Sequence, residues 1–207
     1  MTRRIDYFFS LSSPWAYMGH GRLMEIGRRF QLTIIYKPVF LGNIFAETGG
    51  LPLPKRHPAR QRYRAIELQR WRDKHGMAFH IRPKFWPFDV NLADRCAIAA
   101  AVSVPDPGPF IARAFAAVWE REQNLADERT MVEIAQESGL DGAALLRLAR
   151  SETAEQAYEQ NFRDAVASDV FGSPSYVLDG EVFWGQDRLP FVEEALISGR
   201  PPFSSAV

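Results

Sequence analysis

Residues 4–19, RIDYFFSLSSPWAYMG, hold the reading on which the fold turns. Ile5, Tyr7, Phe8 and Phe9 make a β-rich apolar run, the signature of a buried strand. Ser12-Ser13-Pro14 follows it, and Pro in the first helical position after a Ser marks a helix start. Downstream, Trp15, Met18, Leu23, Met24, Ile26 and Phe30 keep roughly helical spacing. Leu32 to Tyr36 (LTIIY) reads as a second strand, stopped by Pro38. The chain therefore opens β-α-β, and such crossovers usually join parallel strands.

The other end returns to β. Ser175 to Leu178, then Asp179-Gly180, then Glu181 to Trp184 is a hairpin with a two-residue turn. Leu189 to Ser198 is a closing helix with Gly199 placed to terminate it. Between the two ends, Gly42 to Pro58 reads as a Gly/Pro-rich loop and Ala59 to His75 as a charged helix. Residues 80–90 are irregular, and helical patterns follow at about 91–103, 108–123, 128–138, 141–150 and 152–168. Joining βαβ to ββα gives an α/β fold of four-stranded thioredoxin-like topology, interrupted by a large all-helical insertion. The expected division is 1–40 and 170–207 for the thioredoxin-like domain and 41–169 for the insertion.

Composition narrows the function classes. A chain of 207 residues with 46% apolar and 24% charged residues is neither disordered nor collagen-like. Lys+Arg and Asp+Glu are both 25, and zero net charge argues against wholesale nucleic-acid binding. No apolar run approaches membrane-spanning length, so no membrane partner is expected. Arg3 and Arg4 precede Asp6, Ser10, Ser12 and Ser13, which interrupt any signal-peptide core, and a cytoplasmic location is expected. Cys96 is the one cysteine, which excludes an intrachain disulfide and a CxxC pair; its apolar helical setting reads as an inert core thiol. His20, His57, His75 and His80 lack metal-ligand spacing, so no metal site is expected.

Three short segments can carry chemistry. At Ser13-Pro14-Trp15-Ala16 a helix N-terminus follows a strand, which favours an anion or thiolate. Redox cysteines of a thioredoxin-like fold would stand at Ser13 and Ala16, so no dithiol is possible here. The Ser13 hydroxyl either donates to a thiolate brought by a cofactor or simply caps the helix. Ser173-Pro174 before a strand is either a cis-proline whose preceding backbone pairs with a peptide-like ligand, or an ordinary turn. Gln186-Asp187 at the last helix start either holds an amino-acid moiety or caps that helix. The basic stretch Lys55, Arg56, Arg60, Arg62, Arg64 is a solvated face or a source of one or two cations for an anionic ligand. Arg82 and Lys84, set among Phe85, Trp86 and Phe88, suit an aromatic carboxylate or a packed loop.

Taken in order, strand-SPWAYMG-helix, a helical insertion, FGSP-strand-hairpin and WGQDR-helix resemble the 2-hydroxychromene-2-carboxylate isomerases, and more broadly the kappa-class glutathione transferases and DsbA-like proteins. The resemblance covers nearly the whole chain and is strongest at 5–20 and 171–197. It implies a homodimer that uses glutathione. Ser13 would then hydrogen-bond the glutathione sulfur, Ser173 before Pro174 would bind the cysteinyl backbone, and Gln186 and Asp187 would hold the γ-glutamyl end. A family lysine near the glycyl carboxylate falls at Arg60, and a family Asn falls at Gly50, where its polar contacts are lost. The implied reaction adds the glutathione thiolate to a conjugated carbon of an aromatic carboxylate substrate, lets the former double bond rotate, and expels the thiolate. Arg82 or Lys84 is assigned to the substrate carboxylate. A glutathione transferase needs the same Ser13 site; a non-catalytic binding module would keep only the Pro174 edge.

Overall fold

A computed structural model describes residues 3–204, so the outermost residues of the expected outer segments, 1–2 and 205–207, lie outside the described residues. Strand β1 (Arg4–Phe9) leads through α1 (Pro14–Phe30) to β2 (Thr33–Pro38). Seven helices follow: α2 (Leu41–Thr48), α3 (Pro58–Lys74), α4 (Asn91–Ser103), α5 (Gly108–Trp119), α6 (Glu128–Glu137), α7 (Gly142–Ala149) and α8 (Glu152–Ala167). Strands β3 (Ser175–Leu178) and β4 (Glu181–Trp184), a 3-10 turn (Gln186–Arg188) and α9 (Leu189–Ser198) close the described chain.

The sheet order is β2-β1-β3-β4. β1 runs parallel to β2 and antiparallel to β3, and β3 is antiparallel to β4. This is the thioredoxin-type mixed sheet with a helical insertion between β2 and β3. The hairpin turn fits its sequence: Asp179 and Gly180 both take positive φ, as a type I′ turn requires. β2 runs on through Lys37 and stops at Pro38, which pairs in register with Phe9. β2 is an edge strand, where a missing N–H costs little.

The period of two in β1 divides the core. Ile5, Tyr7 and Phe9 enter a large cluster with α1, α5 and α9, where Leu23, Phe115, Trp119 and Val192 are buried. Phe8 points to the other face and packs with Val39, Ile44, Ala165 and Val170. Lys37 is 8% exposed there, and its Nζ meets Asp6 at 2.9 Å and Asp164 at 2.7 Å, so both partners of the buried cation are carboxylates.

Two expectations change. Residues 41–48 are helical, within the stretch expected to be loop. Leu41, Ile44 and Phe45 recur at helical spacing, Ile44 is fully buried, and Gly49 (φ 75°) sits at the C-terminal cap. The glycines therefore flank this helix more than they break it. Helix α5 ends at Trp119, short of 123, and Glu122 takes a positive φ.

Candidate functional site

The segment Ser10–Ser13 joins β1 to α1 and is tied down from several sides. Ser13 is the N-cap of α1: its Oγ accepts from the Ala16 amide at 3.2 Å, and Pro14 stands at the first helical position. The same hydroxyl donates to the Ser173 carbonyl at 3.1 Å. The Ser10 amide donates to Ser173 Oγ at 3.0 Å, and Trp86 Nε1–H donates to the Ser12 carbonyl at 3.0 Å. The Ser173–Pro174 bond is cis, as the motif before β3 suggests. The sequence left Ser13 as a cap or a donor; the cap is present, and its hydroxyl proton is directed at the Ser173 backbone. The Trp15 amide finds no acceptor among the described residues. It remains an orphan donor at the positive end of α1.

A cavity of about 730 Å³ opens beside this helix start. One wall is Trp15, Ser173 and the turn Trp184–Arg188; the other is α3, with Arg56 just before it and Arg60, Tyr63, Arg64, Glu67 and Trp71 on it. Close approaches shape the first wall. Gly172 lies against the Trp184 ring, where a Cβ would collide. Gly185 takes φ 108°, and its amide donates to the Pro174 carbonyl at 2.9 Å, which fastens the Gln186 turn to the proline loop. Gln186 is buried, and His75 Nε2–H donates to its Oε1 at 3.3 Å. Asp187 pairs with Arg188 at 2.8 Å.

The α3 wall is cationic. Among the described residues, Arg56, Arg60 and Arg64 form no salt bridge, and Glu67 is paired with Arg70. Burial and then the Arg56 charge push the Arg64 guanidinium down to about 10, and burial followed by Arg60 lowers Arg56. Arg64 lies 5.1 Å over the Trp86 ring, so it links the α3 wall to the residue that holds Ser12. Arg56 repels both Arg60 and Arg64, and none of the three has a carboxylate partner among the described residues, so they form a wall for an anionic ligand.

A protein-family model described as a DSBA-like thioredoxin domain matches residues 4–197. The chain belongs to the DsbA-like thioredoxin domain family. A 2-hydroxychromene-2-carboxylate isomerase of Sphingobium xenophagum is 27% identical over 198 residues, covering 95% of this chain and 100% of that protein. Glutathione S-transferase kappa 1 of Caenorhabditis elegans is 22% identical, covering 96% of this chain and 92% of that one. Among solved structures, 2-hydroxychromene-2-carboxylate isomerase matches with a TM-score of 0.77 at 22% identity, over 94% of this chain and 95% of that one. The cytosolic disulfide reductase DsbM from Pseudomonas aeruginosa, solved with GSH, matches with a TM-score of 0.68 at 16% identity, over 94% and 99%.

This DsbA-like chain carries no sulfur at its α1 start. Its lone thiol, Cys96, is fully buried on α4, and burial pushes it up to about 12. Of the residues singled out in the sequence, Arg60, Ser173, Gln186 and Asp187 line one cavity, and Ser13 and Pro174 support it from behind. Arg82 and Lys84 do not line it. Arg82 faces an adjoining cavity across Arg64 and Trp86, and Lys84 lies over Phe85. Sequence reasoning passed over Tyr63 and Trp71 and weighed His75 only as a metal ligand. They lie on or just after α3, and they meet Trp184 and Gln186 because α3 forms the opposite wall of the cavity. Arg64 was legible only as one of a basic run, since nothing local tells its inward position from that of Arg62.

Proposed function

We propose that this protein is a glutathione-dependent isomerase of aromatic carboxylates of the 2-hydroxychromene-2-carboxylate type. The observation that carries the reading is one cavity that joins a peptide-like edge at Ser173, an amino-acid-sized turn at Gln186-Asp187 and an unpaired cationic wall. The named isomerase relatives, the kappa transferases and the GSH-bound DsbM structure support it. The residues fit glutathione by charge. Its γ-glutamyl ammonium and carboxylate match Asp187 and the buried Gln186, its glycyl carboxylate matches Arg60, and its volume is well within about 730 Å³.

Bound glutathione supplies a thiolate that adds reversibly to a conjugated carbon, so that the double bond turns before the thiolate leaves. The chain's contribution is to hold that sulfur ionised. A free thiol near pKa ~8.5 is mostly protonated at neutral pH. Ser13 Oγ–H turns from the Ser173 carbonyl toward the sulfur, exchanging a neutral hydrogen bond for a charge-assisted one. The Trp15 amide and the α1 dipole add to the same effect. Ser173 positions the cysteinyl backbone by strand-like pairing. We assign the substrate carboxylate to Arg64 or Arg56, which line the cavity, in place of Arg82 and Lys84, which do not. The reading places the protein in the reducing cytoplasm, where glutathione is kept reduced.

A transferase reading draws on the kappa relatives, and stoichiometry separates the two. With hydroxychromene carboxylate in excess over glutathione, the isomerase brings the whole substrate pool to equilibrium and free thiol is undiminished. A transferase consumes one thiol per product. No turnover with glutathione present would contradict both.

A further inference from the structure

Beneath the Ser10–Ser13 segment lies a carboxyl that the proposed chemistry does not use. Asp94, in the first turn of α4, is fully buried. The Leu11 amide donates to its Oδ1 at 3.3 Å, and the Tyr158 hydroxyl from α8 donates to its Oδ2 at 2.7 Å. A hydroxyl can also accept, so this pairing suits both the neutral and the ionised carboxyl. The titratable groups that bear on Asp94 are Tyr158 from α8 and Asp89 from the segment before α4; the β1–α1 segment offers only its backbone. Arg95, its neighbour on α4, acts on the Tyr158 hydroxyl. Asp94 has no salt bridge among the described residues. Burial pushes its carboxyl up to about 7, against the pull of Tyr158 and the Leu11 amide.

We propose that Asp94 is a positioning residue that sets the pH range over which the α1 N-terminus holds a thiolate. The proposal rests on the glutathione reading above. Through Leu11 it anchors the segment that ends in Ser13, two residues on. Neutral, it does this at no electrostatic cost to an anion above it. Ionised, it places a buried negative charge under the site and opposes the thiolate. Two such anions on the order of 10 Å apart, in an effective dielectric of about 20, raise each other's pKa by about one unit. The sulfur and Asp94 then titrate as a coupled pair, and the thiolate signal spreads over a wide pH range. Protonated Asp94 at lower pH therefore favours the ionised sulfur. The site keeps a thiolate further into the acid range than a fixed carboxylate would allow.

The test follows the ultraviolet absorbance of enzyme-bound glutathione from about pH 5 to about pH 9 in wild type, Asp94→Asn and Tyr158→Phe. Asn keeps an acceptor for Leu11 and a partner for Tyr158 but carries no charge. The alkaline half of the thiolate titration should move down by about one pH unit in Asp94→Asn and sharpen to a single step, while glutathione affinity at about pH 5 changes less than threefold. Tyr158→Phe removes a donor to the carboxylate, so its broad region should shift upward. Superimposable wild-type and Asp94→Asn titrations would overturn the proposal. A second readout needs no glutathione: the Leu11 and Ser13 amide NMR shifts should titrate together in wild type and stay flat in Asp94→Asn. If glutathione does not bind but these amides titrate, the glutathione reading fails and the thiolate role of Asp94 falls with it, while its coupling to the Ser10–Ser13 segment through Leu11 stands. If they do not titrate, the positioning role fails.

Discussion

Asp94→Asn should stabilise the fold increasingly as the pH rises. In the folded chain Asp94 keeps its proton up to about 7, because it is fully buried and has no salt bridge among the described residues. An unfolded Asp releases its proton near the ordinary value of 3.8. Between these two pH values the folded state binds more protons than the unfolded state, so wild-type stability falls as pH rises through the window. Three units at about 1.36 kcal/mol each set a ceiling of about 4 kcal/mol, reached just above neutral pH. Asn fills the same volume, accepts from Leu11 and bears no such penalty. Urea unfolding of both proteins at about pH 4, 6 and 8 would measure the gap. It should be near zero or favour wild type at the lowest pH and grow to about 2–4 kcal/mol in favour of Asp94→Asn at the highest. For a chain of this size that is on the order of 5–15 °C in melting temperature. A gap independent of pH, or one that closes as pH rises, would refute the reasoning, because it would mean that the folded carboxyl is already ionised.

Gln186→Ala should weaken glutathione binding by about tenfold, since the buried amide and its His75 contact are lost together; calorimetry checks it. Arg60→Gln should weaken binding by a similar factor, and the wild-type affinity should fall with added salt while that of the variant falls less. Cys96 should stay unreactive toward Ellman's reagent in the folded protein and react fully in denaturant, because the thiol is buried and its pKa is raised to about 12. A native reaction on the minute scale would contradict the placement of α4 in the core.

Much of the fold was legible where local signals agree with tertiary packing. Ser13-Pro14 starts α1 where a cap and a fixed φ say it should. Asp179-Gly180 makes the hairpin turn for the same local reason. Residues 41–48 were misread because Gly42, Gly49 and Gly50 look like loop punctuation; the deciding fact is the burial of Ile44 in the cluster shared with α8, more than 100 residues away. The site was half legible. Ser173, Gln186 and Asp187 lie in the two segments whose turn chemistry is local, so their convergence follows from the topology. The cationic wall and the buried Asp94 depend on how α3 and α4 cross the sheet ends, and no local spacing fixes that. Arg82 and Lys84 look equivalent to Arg64 on the page of the sequence, yet only Arg64 turns inward over Trp86 to line the cavity.

The central claim is that the start of α1 holds a glutathione thiolate through Ser13. Calorimetric titration with glutathione, run with the ultraviolet thiolate signal on wild type and Ser13→Ala, tests it most directly. Wild type should bind and show the thiolate at neutral pH. Loss of one charge-assisted hydrogen bond, worth about 1.5–3 kcal/mol, should move the sulfur's pKa up by about one to two units in Ser13→Ala and remove most of that signal while binding persists. No binding at millimolar-scale glutathione, or an equal thiolate signal in both proteins, would contradict it.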